Sequence, residues 1–222
     1  MRSRILLKIS AVVSGISGVV ILTAVLVPIV FYETPTLISP LAEEPQAGGE
    51  EIDYTKASNW FVGGAEEEEF ISAEVNYYTL SIKKLGIEDA TVALGGEDLS
   101  QSLIQYPGTA LPGKIGNAVV FGHSILPIFY NPKDYIAIFS TLPTLKKGDE
   151  IAVNYDGVSY KYRVETLFEV LPTDIEVLEQ DTSDSFLTLV TCVPPGDPRK
   201  PKRLIVRARI VPPEISNENT RH

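Results

Sequence analysis

Two strand-like runs near the C-terminus, SFLTLVTC at residues 185–192 and RLIVRARI at residues 203–210, decide how this chain folds. A loop of ten residues that contains four prolines joins them. Consecutive strands of this kind most often pair as antiparallel neighbours. This pairing predicts that Cys192, which ends the first run, lies beside Arg203, which begins the second.

The alternation of side chains along both runs predicts which face these two residues share. Successive side chains of a strand point to opposite faces of the sheet. Cys192 falls on the face opposite to Leu187 and Leu189, and Arg203 falls on the face opposite to Leu204 and Val206. We therefore expect the thiol and the guanidinium to lie together at one rim, away from the more apolar face.

Working outward, the preceding sequence contains five more short runs that are rich in β-branched and aromatic residues. They are bounded by turn signals, and Asp156-Gly157 between two runs is typical of a tight hairpin. This density of strands predicts an all-β domain that closes into a barrel, because closure removes exposed sheet edges. The runs lie at residues 79–82, 90–94, 117–121, 151–155 and 158–170, and short helices are expected at 97–105, 134–142 and 173–180.

Composition excludes several classes of protein. The chain has 222 residues and a formal net charge of −10, which argues against a nucleic-acid-binding protein, because such a protein needs a basic face. It has one cysteine and two histidines, so neither a disulfide framework nor a Cys/His zinc cluster can be built. Few residues are therefore candidates for a catalytic cysteine or histidine.

The N-terminus predicts a membrane anchor. Residues 1–8 carry three basic residues and no acid, and the next 24 residues, 9–32, carry no charge. About 20 apolar residues cross a bilayer, whereas the apolar part of a cleaved signal peptide, the alternative, spans only about 7–15. The positive-inside rule then predicts a cytoplasmic N-terminus and an extracellular remainder.

Residues 33–76 carry eleven acidic residues and one basic residue, which predicts an acidic, flexible linker. A cation site is the alternative interpretation of the acidic runs. Trp60-Phe61-Val62, which contains the only tryptophan of the chain, interrupts this composition. We expect these apolar residues to pack back onto the domain, near its site. The domain itself is predicted at residues 77–212, followed by a polar tail at 213–222.

The second candidate for chemistry is His123, which follows the run at 117–121 after a glycine. Strand ends are where a rigid β scaffold commonly displays functional groups. Each candidate also has a plainer interpretation: Cys192 as a small buried apolar residue, His123 as a structural histidine and Arg203 as a surface base. An unpaired thiol outside the cell is open to oxidation, however, which favours a functional role for Cys192.

Taken in order, the motifs of this chain resemble those of the sortase family. TLVTC at 188–192 followed by RLIVR at 203–207 matches the family's TLxTC…R pattern. YPGTALPG at 106–113 and GNAVVFGH at 116–123 match its YPGTxxPG…GN…GH pattern, and LKKGDEI at 145–151 resembles its L-x-x-G-D-x-I element. The resemblance spans residues 79–210, with the motifs in the family's order.

The resemblance implies an eight-stranded sortase-type barrel and a catalytic set formed by Cys192, His123 and Arg203. Thr188, Thr191 and Ser124, which belong to the matching motifs or adjoin them, are expected to bind substrate. It implies no required cofactor and no metal, although calcium stimulates some members. With a single N-terminal anchor and no second apolar span after residue 211, we expect a housekeeping or class D/E-like member.

The activity that the resemblance implies is cleavage of an LPxTG-like sorting signal through a thioester on Cys192, followed by transfer to an amine of the cell wall. Its partners would be surface proteins that carry the signal, the amine acceptor and the bilayer. Two alternatives stay open at this point. One is a thiol peptidase in which water resolves the thioester, and the other is a non-catalytic, membrane-tethered β-module that binds surface partners.

Overall fold

The computed structural model describes Ser17, residues 52–70 and residues 76–212. Within these ranges no helix combines the length and the apolar composition that a membrane span requires. The predicted basic N-terminus at 1–8, the anchor at 9–32 (except Ser17) and the tail at 213–222 lie outside the described residues. The folded part from residue 52 onward belongs to one compact unit.

Eight strands close into a mixed β-barrel in the order β1-β2-β3-β4-β7-β8-β6-β5, which confirms the predicted closed, eight-stranded barrel. The pairs β2–β3 and β4–β7 are parallel, and the other pairs are antiparallel. The strands are β1 Asn76–Ile82, β2 Ile87–Leu94, β3 Leu103–Gln105, β4 Gly116–Phe121, β5 Glu150–Tyr155, β6 Val158–Val170, β7 Ser185–Val193 and β8 Lys202–Ile210.

The predicted hairpin is confirmed: Tyr155 pairs with Val158, and Asp156 and Gly157 between them both have positive φ.

Helical structure in the described residues is limited to short pieces. Within residues 52–70 and 76–212, an α-helix, which we call α1, is Glu67–Phe70, and the 3-10 turns are Ala57–Trp60, Lys83–Leu85, Pro127–Phe129, Leu142–Thr144 and Ile175–Leu178.

Two of the helix predictions are wrong, and a third is correct only in part. Residues 97–105 do not form a helix; they form turns and β3, a three-residue strand buried along its whole length. Residues 134–142 form successive turns that end in the 3-10 turn at 142–144. The third helix shortens to a 3-10 turn at 175–178. Short apolar runs do not distinguish helix from strand, and tertiary contacts decided these segments.

The described residues contain two separate apolar clusters, one on each side of the sheet. The barrel interior holds the larger cluster, to which Leu80, Leu189 and Val206 belong. The second cluster lies on the outer face of β4, β7 and β8 and contains Cys192. Because alternate residues of a strand face opposite ways, the same strands supply both clusters.

Residues 53–62, which we call the N-terminal strap, cover part of the outer cluster, and Phe70, Leu99 and Val177 from other segments also belong to that cluster. The strap runs along the outside of the barrel and is held by main-chain hydrogen bonds at both ends. Near its start, Ala57 N donates to Glu97 O at 3.1 Å and Leu99 N donates to Thr55 O at 2.9 Å. At its far end, Val62 N donates to Pro172 O at 2.9 Å. This part of the predicted linker is therefore folded onto the barrel.

Candidate active site

The predicted pairing of β7 with β8 is confirmed, and it sets Cys192 directly opposite Arg203. Leu189 of β7 and Val206 of β8 face the barrel interior, as the alternation predicted. Cys192 belongs to the outer cluster instead, yet only 1% of its surface is exposed. The sulfur is thus buried outside the barrel, beneath the strap.

Arg203 is 1% exposed, and its guanidinium donates only to main-chain carbonyls. Nε donates to Trp60 O at 2.9 Å, and Nη1 donates to Lys200 O at 2.8 Å and to Lys202 O at 3.3 Å. No ion pair to Arg203 occurs within residues 52–70 and 76–212. Its charge is therefore buried without a neutralising carboxylate, beside the thiol.

His123 follows β4 and is 5% exposed. Its neighbours fix it to the strand that carries Cys192: Gly122 N donates to Val190 O at 3.1 Å, and Ser124 Oγ donates to Cys192 O at 2.6 Å. Its imidazole lies 5.7 Å from the Trp60 ring, centroid to centroid. Its Nε2 is buried and has no hydrogen-bond partner among the described residues. A buried ring nitrogen without a partner calls for an explanation, and a proton-transfer role supplies one.

One side chain, Trp60, brings the three candidates into a single site. It contacts the Arg203 guanidinium, whose carbon lies 5.6 Å from the ring centroid, and the His123 imidazole. It also belongs to the same apolar cluster as Cys192. The three residues come from the ends of β4, β7 and β8, three strands that are adjacent in the barrel.

Burial keeps both titratable groups of the site uncharged. Burial raises the pKa of the Cys192 thiol, although Arg203 and Lys200 partly counteract it. Burial, together with the charge of Lys200, lowers the pKa of His123 from its usual 6.5 to about 4. Asp53 and Asp98 oppose that shift. At neutral pH the described state therefore holds a thiol and a neutral imidazole.

The residues expected to bind substrate are buried, and their hydroxyls bond within the protein. Thr191 Oγ1 donates to Gly122 O at 2.7 Å, and Thr188 Oγ1 donates to Asn117 Oδ1 at 2.7 Å. Ser124 donates to the carbonyl of Cys192, as described above. All three join the strand of the cysteine to the strand and loop of the histidine. Their contact with substrate stays a prediction.

A groove of about 700 Å³ opens beside the candidate residues. His123 reaches the groove, whereas Cys192 is not among the residues that line it. The strap forms one wall, and the loop between β7 and β8 forms another. The lining residues are Ile52–Thr55, His123, Ile125, Ile136 and Pro198–Lys200.

Sequence reasoning missed two features of the site. Lys200 contributes the carbonyl that holds Arg203, and its ammonium lies 5.7 Å from the Tyr54 ring centroid. Phe121 forms the floor on which the Trp60 ring stacks, at 5.2 Å and an interplanar angle of 12°. The only available signal was the isolated tryptophan in an acidic segment. Across residues 52–70 and 76–212, no group of three or more His, Cys, Asp or Glu is placed to hold a metal ion.

Comparison with known proteins agrees with this geometry. The sortase domain model matches residues 80–211, more than half of the chain. Sortase A of Streptococcus agalactiae is 27% identical over 150 residues, which cover 64% of this chain and 58% of that protein. Sortase A of Bacillus anthracis is 28% identical over 171 residues, which cover 73% of this chain and 77% of that protein.

Solved structures give the same result. A Clostridium perfringens sortase D5 transpeptidase superposes with a TM-score of 0.52 at 25% identity, covering 67% of this chain and 90% of that one. Matches extend to sortases of classes A, C and D. The fold, the ordered motifs and the matched domain agree, and the chain belongs to the sortase family of cysteine transpeptidases.

Proposed function

We propose that this protein is a membrane-anchored, extracellular transpeptidase that cleaves an LPxTG-like sorting signal and transfers the attached protein to an amine of the cell wall. The observation that carries the proposal is the register of β7 against β8, which sets Cys192 beside the buried Arg203. Membership in the sortase family supports a sorting-signal substrate. An anchor at residues 9–32 would hold the domain outside the cell.

In the first half-reaction, the thiolate of Cys192 attacks the carbonyl carbon between the Thr and the Gly of the signal. This thiolate forms when His123 takes the proton of the Cys192 thiol. An S–C bond then forms, the C–N bond breaks, and His123 passes that proton to the departing amine. Arg203 stays protonated and cannot act as a base. Its role is electrostatic: it donates hydrogen bonds to the carbonyl oxygen as that oxygen gains charge.

In the second half-reaction, an acceptor amine attacks the thioester. A C–N bond forms, the S–C bond breaks, and His123 accepts the proton that the amine loses. The thiolate of Cys192 is restored, so the cycle needs no cofactor. Water in place of the amine would give the hydrolytic product, and the two outcomes differ only in which nucleophile reaches the thioester.

The test uses the full chain in detergent micelles, incubated with a library of LPxTG-like peptides and analysed by mass spectrometry. We expect an acyl adduct on Cys192 and, when an amine is added, a peptide ligated to that amine. The Cys192→Ala variant should lose at least about a thousandfold in turnover, because no other thiol exists. The His123→Ala variant should accumulate no adduct.

Three outcomes would contradict the proposal. Equal turnover by the Cys192→Ala variant would exclude thiol catalysis. An adduct that yields only the hydrolysed peptide at saturating amine would assign a peptidase. Absence of an adduct across the library, in a chain whose thiol reacts with small alkylating reagents, would favour a non-catalytic module.

A further inference from the structure

The connection between β4 and β5 carries an apolar turn, residues 126–129, that the barrel leaves uncovered. Ile128 is 84% exposed, Phe129 is 64% exposed and Leu126 is 50% exposed. Among the described residues, Ile128 is the most exposed large apolar side chain. A single exposed apolar side chain is ordinary, but several neighbouring ones at one tip indicate a surface that contacts another molecule or a membrane.

The apolar turn is held in a defined shape. Phe129 N donates to Leu126 O at 2.9 Å, and Tyr130 N donates to Pro127 O at 3.1 Å. The Tyr130 hydroxyl donates to Leu85 O, which ties the end of the turn to the segment between β1 and β2. The exposed side chains are therefore presented by a braced loop, so little conformational entropy is lost when they bind.

The apolar turn borders the groove of the candidate active site. Leu126 directly follows Ile125, which lines the groove. It also lies so close to Gly196, in the loop between β7 and β8, that a Cβ at that glycine would overlap it. Ile52 lines the same groove, and the folded part of the chain begins there. The chain thus enters the domain at the edge that carries the apolar turn.

The length of the preceding chain favours the bilayer as the partner of this edge. The predicted anchor ends at residue 32, so the 19 residues 33–51 separate it from Ile52. Even a fully extended chain of this length spans at most about 70 Å. An anchor at residues 9–32 would therefore tie this edge of the domain, and not the opposite one, to the membrane.

The charges around the apolar turn suit a lipid surface but do not dominate it. Lysine ammonium groups are attracted to the phosphates of anionic lipids. Three exposed or half-buried lysines on the segments beside the turn have no ion pair within residues 52–70 and 76–212: Lys83, Lys133 and Lys200. The acidic residues Glu88, Asp89 and Asp134 lie on the same segments, so the apolar side chains must provide most of the binding.

We propose that the apolar turn inserts into the interfacial region of the bilayer and docks the domain on the membrane, with the groove at the level of the headgroups. The proposal rests on the proposed function for the anchor at residues 9–32, but not for the reaction. Apolar side chains at the tip of a domain gain by entering the boundary between headgroups and acyl chains. Docking presents the groove to substrates that are attached to the same membrane.

The test places an environment-sensitive fluorophore on the turn of the full chain, reconstituted in vesicles of phosphatidylcholine and phosphatidylglycerol. Because Cys192 is the only cysteine, Ile128→Cys in a Cys192→Ala background gives a single labelling site. Ile115→Cys is the matched control, since Ile115 is 69% exposed and precedes the opposite end of β4. Lipids that carry a nitroxide below the headgroup should quench the label at position 128 at least about threefold more than the label at position 115.

A second pair of variants tests whether the apolar character of the turn causes the contact. With the label at position 128, Phe129→Glu should reduce quenching to the level of the control position, whereas Phe129→Leu should retain it. Both substitutions are at an exposed position, so neither should unfold the barrel. Equal quenching in the two variants would mean that the tether alone brings the turn to the lipid, and the docking proposal would be wrong.

Three further results would overturn the proposal. Equal quenching at positions 128 and 115, in chain recovered with the vesicles, would show that the anchor holds but the turn does not dock. Chain recovered apart from the vesicles would exclude the anchor together with the docking. A label at position 128 whose emission moves to shorter wavelength without quenching by lipid would assign the turn to a protein contact. None of these readouts uses the reaction, so transpeptidation can fail separately.

Discussion

The two apolar clusters of this barrel are made by the same strands and differ in what closes them. The interior cluster is enclosed by eight hydrogen-bonded strands, and its members, such as Leu80 and Leu189, are 0% exposed. The outer cluster is as deeply buried at Trp60 and Cys192, but it is covered by the strap and other short segments, which supply Phe70, Leu99 and Val177, rather than by a closed set of strands. Two equally buried clusters can therefore differ in how readily they open, because opening the strap breaks far fewer contacts than opening the barrel.

The largest expected effect tests whether the two clusters open separately. Leu80→Ala removes a large side chain from the interior, which should lower the free energy of unfolding by about 2–5 kcal/mol. If Cys192 became reactive only through global unfolding, the same change would accelerate its alkylation about 30- to 5,000-fold. Because we expect the strap to open alone, the alkylation rate should stay within about twofold.

The two measurements are urea unfolding for the free energy and alkylation in the absence of denaturant for the rate. Comparison with Trp60→Ala completes the test. That variant should show the opposite result: rapid alkylation of Cys192 in a barrel that still unfolds cooperatively in urea. A rise in the alkylation rate of Leu80→Ala that matches its loss of stability would mean that the clusters open together.

The next effect in size concerns pH and the outer cluster. Burial lowers the pKa of His123 to about 4, so between pH 6.5 and 4 the open or unfolded state binds more protons than the closed state. The contribution of neutral His123 to the stability of the closed state is therefore fully present above pH 6.5. It is lost as the pH falls toward 4, and the total loss is about 3 kcal/mol. Lys200 favours this shift, and Asp53 and Asp98 oppose it.

Trp60 is the only tryptophan, so its fluorescence reports the strap directly. We expect its emission to move to longer wavelength as the pH falls from 6.5 to 4. In His123→Gln, which cannot be protonated, this change should be lost or should move to the lower pH at which carboxylates titrate. An identical pH profile in that variant would show that His123 is not the group that opens the strap.

The contrast between the clusters also explains how far the sequence could lead. The pairing of β7 with β8 and the face occupied by Cys192 and Arg203 followed from local alternation and a short connection, which act within about 25 residues of chain. The strand β3 did not, because it has only three residues, all of them buried, and this is too short to show an alternation of apolar and polar side chains. The short segment that contains β3 was equally compatible with a helix.

The burial of Cys192 beneath the strap was harder still to predict. The average composition of residues 33–76 is that of a solvated linker, and that average conceals Trp60 and Phe61. Phe121, more than 50 positions away, packs against both residues, and Arg203 Nε donates a hydrogen bond to Trp60 O. Contacts between residues so far apart in the sequence form only when the barrel has folded. Composition and periodicity could therefore predict that Trp60 and Phe61 pack on the domain, but not which atoms they cover.

The smallest effect should come from the ion pair that links the strap to α1. Lys56 Nζ lies 2.9 Å from Glu67 Oε2, and both side chains are 40% or more exposed. Such pairs contribute little, because water and salt screen them and two long side chains must be ordered to form them. In Glu67→Gln, the alkylation rate of Cys192 should therefore change by less than about twofold, and added salt should leave the rate of the unsubstituted chain equally unaffected. A tenfold acceleration in either measurement would mean that charge, rather than the packing of Trp60 on Phe121, keeps the strap closed.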